Sequence, residues 1–286
     1  MDKYELQSLI KTSEEKLRAS GIECAAAEIE IILEHLLEVD RIDIYMYGPQ
    51  LIDNNIIEKF NQIVDKRSTR FPLQYILGES YFYGRKFMVN RDVMVPTPET
   101  EILCELAINY IKNEGLESPQ ILDVGAGSGV ISVTVASELP VAWVTSLDIS
   151  QGALATARKN AAIYGVESQI DFRKSDLFES LRPDEKFDLI LSNPPYISEK
   201  EYETLPPEVL SDPKVALTSG TEGLDIIKRL IAEAPPFLKE KGRLMFEIGY
   251  NQADKIAEIS AKDKRYRTFH LIKDLNDIDR VVILSV

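Results

Sequence analysis

Residues 120–130, QILDVGAGSGV, limit what this chain can fold into more than any other stretch. Ile121, Leu122 and Val124 form the short apolar run of a buried strand, and glycines follow at 125, 127 and 129. Alternate residues without a Cβ let the backbone turn sharply and approach a ligand. An apolar run that opens a helix comes next, so amides at that helix N-terminus would face the same ligand. VTSLD, ending at Asp148, and FDLILSNPPY, ending at Tyr196, read as later strands of the same sheet. Acids and an Asn-Pro-Pro-Tyr would then sit at neighbouring carboxyl ends, where open α/β sheets place their ligands.

From Pro119 onward strand and helix patterns alternate: ILDVG, VISVTVASEL, AWVTSLD, GALATARKNAAIYG, QIDFRKSD and FDLILSNPPY. A polar loop over 198–219 leads to the helix pattern GLDIIKRLIAEAPPFL, the strand GRLMFEIG, a helix from about Gln252 and the terminal strand VVILSV. Regular alternation predicts a parallel sheet covered by helices on both faces, an α/β fold of the doubly wound kind.

Upstream, Leu6, Leu9, Ile10 and Leu17 share a helix face that Gly21 breaks, and Ile29, Ile32, Leu33, Leu36 and Leu37 make a second stripe. Asp53 is the expected N-cap of a third helix carrying Ile56, Ile57, Phe60, Ile63 and Val64. No glycine-rich loop, catalytic acid pair or metal spacing occurs there, so contact rather than chemistry is expected of this region. Aromatic and β-branched residues around Tyr83-Gly84-Arg85-Lys86 predict a hairpin with its turn at those four. Thr97 is expected to cap the next helix with Pro98 at its first position, and Ile102, Leu103, Leu106 and Ile111 carry that helix to about Asn113. The expected division is a helical domain over 1–72, a hairpin connector over 73–95 and the α/β domain over 96–286.

A net charge of −14 argues against a stable grip on DNA or RNA, which needs a basic face. The cluster Lys262, Lys264, Arg265 and Arg267 reads as a solvated helix end, and a basic or neutral protein partner suits the overall charge better. No run approaches the roughly 18–20 apolar residues of a membrane helix, and the polar, acidic start has no signal-peptide pattern. Cys24 and Cys104 are far apart and outside any CxxC, which fits free thiols in a reduced cytoplasm. His35 and His270 stand alone as well, so no metal site is expected.

The glycine spacing is GxGxG, not the GxGxxG of the dinucleotide fingerprint, which makes NAD a poorer fit. Asp148, 19 residues beyond Gly129 at a strand end, can accept hydrogen bonds from both hydroxyls of a ribose, whether that ribose belongs to NAD, FAD or S-adenosylmethionine. Asp176, in SDLF, could reach an adenine amino group; a helix or turn cap is its alternative role. Asn193-Pro194-Pro195-Tyr196 is the sharpest feature. Consecutive prolines contribute no N–H and hold an extended course, leaving the carbonyls of Asn193 and Pro194 free to point into a pocket. The Asn193 side chain adds an acceptor and Tyr196 a flat wall. Paired acceptors suit a planar –NH2, whose delocalised lone pair makes it a poor nucleophile, and they favour the charge that builds on nitrogen as it attacks.

DVGAGSG, LDIS, SDLF and NPPY in this order resemble the class I S-adenosylmethionine-dependent methyltransferases that act on planar nitrogens. YILGESYFYGRKFMVNRDVMVPTPETE, DPKVALTSGTEGLDIIKRLI, EIGYNQ and KDLNDIDRVV are similar to the matching segments of the peptide chain release factor glutamine methyltransferase family. The resemblance runs from about Tyr75 to the end, behind a helical region of the expected size. It implies a terminal antiparallel strand in the sheet, a substrate-docking role for the helical domain, and methylation of the glutamine amide in the Gly-Gly-Gln motif of release factors. By position, Gly125, Ala126, Gly127, Ser128 and Gly129 would line the S-adenosylmethionine site. Asp148 would bind its ribose, Asp176 and Leu177 would border its adenine, and Asn193 to Tyr196 would hold the glutamine, with Asn193 also touching the cofactor. The chain departs from the family at Thr97, where Pro-Arg-Pro is common, and in DLNDIDR, which lacks the glycine usual before the acid-arginine pair. A monomer with no membrane or stable nucleic-acid partner is expected. The alternatives are a nucleic-acid amino-group methyltransferase and a non-catalytic cofactor-binding protein.

Overall fold

The computed structural model describes residues 3–286, apart from the side chains at 3 and 48–50. It comprises two units, Met1–Gly78 with Pro206–Ser211, and Glu79–Leu205 with Asp212–Val286.

The first unit contains α1 (Lys3–Ala19), α2 (Ala25–Leu37), α3 (Arg41–Leu51), α4 (Asn54–Ser68) and the single turn α5 (Leu73–Leu77). Leu17, Ile29, Ile32, Leu33, Phe60 and Val64 form its core, so the apolar stripes of the sequence do face inward. Asp53 caps α4, its Oδ1 accepting from the Ile56 N–H at 2.8 Å. Two helices go beyond the three expected. The sequence RIDIYMYGPQL of α3 lacks an apolar stripe of helical period: Ile44 is buried, whereas Ile42, Tyr45 and Met46 are each more than half exposed. Arg67 is the buried cation of this unit; its Nε and Nη2 hold Glu28 at 2.6 and 3.0 Å and its Nη1 holds Glu208 at 3.0 Å. Arg70 clasps the same Glu208 with Nε and Nη2 at 2.5 and 2.7 Å. That double grip is what makes Pro206–Ser211, far along the chain, part of the helical unit.

The second unit opens with the hairpin β1 (Glu79–Phe82) and β2 (Arg85–Met88). Phe82 pairs with Arg85, so the turn is the two residues Tyr83-Gly84, both at positive φ, rather than the four expected. After α6 (Glu99–Glu114) come β3 (Gln120–Val124), α7 (Val130–Glu138), β4 (Trp143–Asp148), α8 (Gln151–Ile163), β5 (Ile170–Lys174) and β6 (Phe187–Ser192). The loop after β6 carries the short helices α9 (Glu199–Tyr202) and α10 (Lys214–Leu217). Then follow α11 (Asp225–Glu233), β7 (Leu238–Glu247), α12 (Ala253–Lys262), β8 (Thr268–Lys273) and β9 (Asp279–Ser285). Thr97 does not cap α6: the helix begins at Glu99 with Pro98 before it, and no side chain caps it.

The sheet order is β5-β4-β3-β6-β7-β9-β8, parallel from β5 to β7 and antiparallel at β9 and β8. Alternate strand residues feed two cores. Ile121, Val144, Leu189, Leu191 and Met245 pack with α6, α7 and the hairpin rings Phe82 and Phe87. Leu122, Leu147, Ile190, Leu244 and Phe246 pack with Ile227, Leu230 and Ile256 of α11 and α12. Both faces are covered, as the near-continuous apolar strands require. The edge strand β8 has no counterpart among the sequence expectations: TFHLIK buries none of its residues fully, and its apolar Phe269, Leu271 and Ile272 stay partly exposed. Because β3 lies between β4 and β6, chain direction around the sheet reverses there, and a crevice opens beyond its carboxyl end.

Candidate active site

The loop after β3 is pinned by its own backbone: Gly125 and Ala126 both donate to the Leu147 carbonyl, at 2.8 and 2.9 Å. Gly125, Gly127 and Gly129 all have positive φ, which closes the turn within five residues. Their surroundings differ. A Cβ on Gly127 would meet nothing within 4 Å, whereas one on Gly129 would stand 3.0 Å from Ala157 Cβ on α8. The third glycine is therefore a packing residue. Buried Asn160 of α8 fastens the loop to the hairpin, donating to Ser128 O at 2.8 Å and Met88 O at 3.0 Å while accepting from Met88 N at 2.8 Å.

Beneath the loop, Asp123 of β3 is fully buried and hydrogen-bonded to Ser132 and Ser146. Burial pushes its carboxyl up to about 6 against the pull of those hydroxyls, and its Oδ1 has no partner. Asp148 ends β4 with Oδ2 accepting from Gly127 N at 2.9 Å and Oδ1 from Ser150 N at 2.7 Å. Burial raises this carboxyl too, with the backbone amides of Gly127, Ser150 and Ile149 opposing. Each oxygen keeps a further lone pair for a ligand. After β5, Asp176 accepts from Arg229 of α11 at 2.9 Å, and Leu177 takes a φ of 46°.

At the end of β6, Asn193 donates its Nδ2 to Thr100 Oγ1 at 2.9 Å, and Thr100 donates to Glu247 Oε2 at 2.7 Å. Tyr196 turns its hydroxyl to the other oxygen of Glu247 at 3.1 Å, and burial first, then that carboxylate, raises its phenol. Gln252 holds the Tyr196 carbonyl at 2.9 Å and accepts from Gly249 N at 2.9 Å.

These elements enclose one crevice. Gly125, Ala126, Gly127, Ser128, Asp148, Asp176, Leu177, Asn193 and Pro195 all line it, together with Asp92, Pro96, Thr100 and Ile149. Pro213, Val215, Ala216 and Thr218 of the returning loop form a further wall. Gly129, Pro194 and Tyr196 are not among the lining residues; Tyr196 faces Glu247 instead. Neither Thr100 nor Glu247 stands out in the sequence. The signal that was there is an acid closing the apolar run RLMF, a place where a carboxylate needs partners.

Residues 100–222 match the family described as Methyltransferase small domain, and residues 8–78 the PrmC N-terminal domain. A release factor glutamine methyltransferase of Fusobacterium nucleatum subsp. nucleatum is 38% identical over 98% of this chain and 79% of its own length. The chain belongs to the release factor glutamine methyltransferase family. Another member, from Rhodopirellula baltica, is 35% identical over 99% of this chain and 96% of its own. A solved methyltransferase of Pyrococcus furiosus, 18% identical, shares the fold with a TM-score of 0.51 over 71% of this chain and 90% of that one. Within DLNDIDR, the turn 274–278 holds Asp277 at a φ of 63°, a conformation Asp tolerates better than most residues.

Proposed function

We propose that the crevice binds S-adenosylmethionine beside a glutamine side chain and that the protein methylates the amide nitrogen of that glutamine, in the Gly-Gly-Gln motif of peptide chain release factors. The observation that carries the proposal is the state of Asn193. Its NH2 is spent on Thr100, so its Oδ1 remains as an acceptor in the crevice.

The donor set fits the cofactor. Asp148, set at a strand end with spare lone pairs, suits two ribose hydroxyls, and Leu177 and Ile149 offer apolar surface for a base. Gly125 to Ser128 bring backbone within reach of the remainder, whereas Gly129 supports them from behind. Asp176 retains one oxygen outside its Arg229 pair for an amino group. Once bound, S-adenosylmethionine supplies a methyl group on a positively charged sulfur.

The protein's own part is positioning and electrostatics. Asn193 Oδ1 and the carbonyl of Pro194, which stands between the lining residues Asn193 and Pro195 without itself lining the crevice, accept the two amide hydrogens of the glutamine, which fixes the plane of the group. Both acceptors favour the positive charge that builds on nitrogen during transfer, and one hydrogen leaves afterwards as a proton. Pro195 has no N–H with which to distract the approach. Tyr196 acts from behind, its hydroxyl donating to Glu247 and its backbone carbonyl held by Gln252.

The helical unit serves as the docking surface for the folded substrate. Exposed Ile42, Tyr45 and Met46 on α3 support that role, being large apolar groups left on the surface of a small unit. The −14 charge speaks against a nucleic-acid substrate, and no described helix is long and apolar enough to cross a membrane. We place the protein in the cytoplasm as a monomer that meets release factors transiently. Incubation with labelled S-adenosylmethionine and purified release factors, followed by peptide mass mapping, tests the proposal. Label on the Gly-Gly-Gln glutamine is expected; label elsewhere, or none, overturns it.

A further inference from the structure

Glu247 is 1% exposed at the end of β7, and it divides its two oxygens between two hydroxyls. A hydroxyl owns a single hydrogen. Thr100 commits that hydrogen to Glu247 Oε2 at 2.7 Å, which leaves it only lone pairs for anything else. Asn193, 2.9 Å from Thr100 Oγ1, has to present its NH2 there and its oxygen elsewhere. The direction of the whole relay follows from one fact: an ionised carboxylate can accept and cannot donate.

We infer that Glu247 is a positioning residue which, as the carboxylate anion and through Thr100, fixes which end of the Asn193 amide faces the substrate. The inference rests on the proposed role of Asn193 as the acceptor for the glutamine amide. Reversal shows what is at stake. A protonated Glu247 can donate to Thr100, freeing the threonine hydrogen to point at Asn193. Asn193 then turns its oxygen to Thr100 and shows its NH2 to a substrate group that is itself an NH2. Two donors face each other, and the glutamine loses its orientation.

The proton in question moves in a useful range. Burial raises the Glu247 carboxyl to about 7, while the Thr100 and Tyr196 hydroxyls and the nearby Arg280 charge pull it down and Glu99 pushes it up. Arg280, on β9, is held by Asp274 at 3.1 Å, and a guanidinium stays charged throughout. Tyr196 and the buried thiol of Cys104 on α6 are both shifted upward, away from neutral pH.

The test is single-turnover methyl transfer to a release factor at saturating S-adenosylmethionine, from about pH 5.5 to about 9, with cofactor affinity measured alongside. In the native protein the rate should fall about tenfold per pH unit below an apparent value near 7, with affinity unchanged. Thr100→Ser, which keeps the hydroxyl, should retain both rate and acid limb. Thr100→Val should lose on the order of 10- to 100-fold in rate at every pH, with affinity within about twofold. Glu247→Gln, which has an oxygen for Thr100 but no titrating proton, should flatten the acid limb. Native transfer by Thr100→Val, an acid limb that persists in Glu247→Gln, or parallel loss of rate and affinity overturns the inference. An infrared titration of the native protein, assigned through the carboxyl band that Glu247→Gln removes, reads the proton without any substrate. If that titration is near neutral and no release factor is methylated, the substrate assignment falls and not the state of Glu247; if Glu247 stays protonated throughout, the relay falls.

Discussion

Gly129 lies directly against Ala157, so that a Cβ on the glycine would come within 3.0 Å of the alanine Cβ. Its φ of 83° adds a strain of roughly 1–2 kcal/mol for any side chain. Gly129→Ala should therefore lower unfolding stability by at least that amount in urea denaturation. Gly127→Ala, with open space around it, should cost no more than the backbone strain but weaken cofactor binding more. Equal losses in stability would remove the distinction between the two glycines.

Asp148 is expected to matter for the cofactor. Asp148→Ala should weaken S-adenosylmethionine binding on the order of 10- to 100-fold, as expected for charge-assisted hydrogen bonds worth about 1.5–3 kcal/mol. Part of the effect will come from releasing Gly127 and Ser150, which Asp148 holds. Asp148→Asn, retaining one acceptor, should lose less. Titration calorimetry measures both, and unchanged affinity would reject the ribose role.

For Asn193, the readout is transfer rather than binding. Asn193→Ala removes the acceptor that Thr100 leaves free, and kcat should fall roughly 10²–10³-fold with little change in cofactor affinity. A native single-turnover rate would reduce Asn-Pro-Pro-Tyr to a stiff strand exit.

What the sequence revealed and what it hid have physical causes. The parallel strands and both helix layers show in mostly apolar runs such as ILDV and LILS, because a strand buried on both faces has few polar positions to blur it. Crevice residues were visible where a residue type is unusual in its setting: glycines after a strand, an acid at a strand end, two consecutive prolines. Thr100 was hidden because a threonine in a helix's first turn looks like any other. Glu247 acquires its meaning only when β7 is laid beside β6 and its oxygens meet residues 147 and 51 positions away in the chain. The helix α3 escaped because its sequence carries no clean helical period, and the edge strand β8 because none of its six residues is fully buried.

Acid should loosen the helical unit in a defined window. Burial opposes the charge on Glu208, yet hydrogen bonds from Arg70 and Arg67 outweigh it and hold the carboxyl at about 2, against 4.5 for a free glutamate. A folded-state value below the unfolded one contributes stability that is complete above about 4.5 and drains away as pH falls toward 2. Glu208→Gln should be less stable at neutral pH and should flatten the loss across that window. Thermal unfolding followed by circular dichroism at a series of pH values would show it; identical slopes would rule out the clasp as a contributor.

Docking through α3 predicts a split between large and small substrates. Ile42→Asp combined with Tyr45→Asp should lower kcat/KM for an intact release factor by about tenfold or more, the scale of losing a hot-spot contact. A short Gly-Gly-Gln peptide should be methylated at an unchanged rate. Equal effects on both substrates would place docking elsewhere.

The clasp on Glu208 also sets an order of events on the ribosome. Arg67 and Arg70 are synthesised early, whereas Glu208 follows 141 residues after Arg67. At about 5–20 residues per second, that interval is roughly 7–28 s. Through it the nascent helices hold two guanidinium groups without the carboxylate that bridges them. The N-terminal unit is thus an unfinished bundle until the stretch beyond Asn-Pro-Pro-Tyr has been translated, and a gene fragment encoding residues 1–78 alone would inherit that deficit permanently.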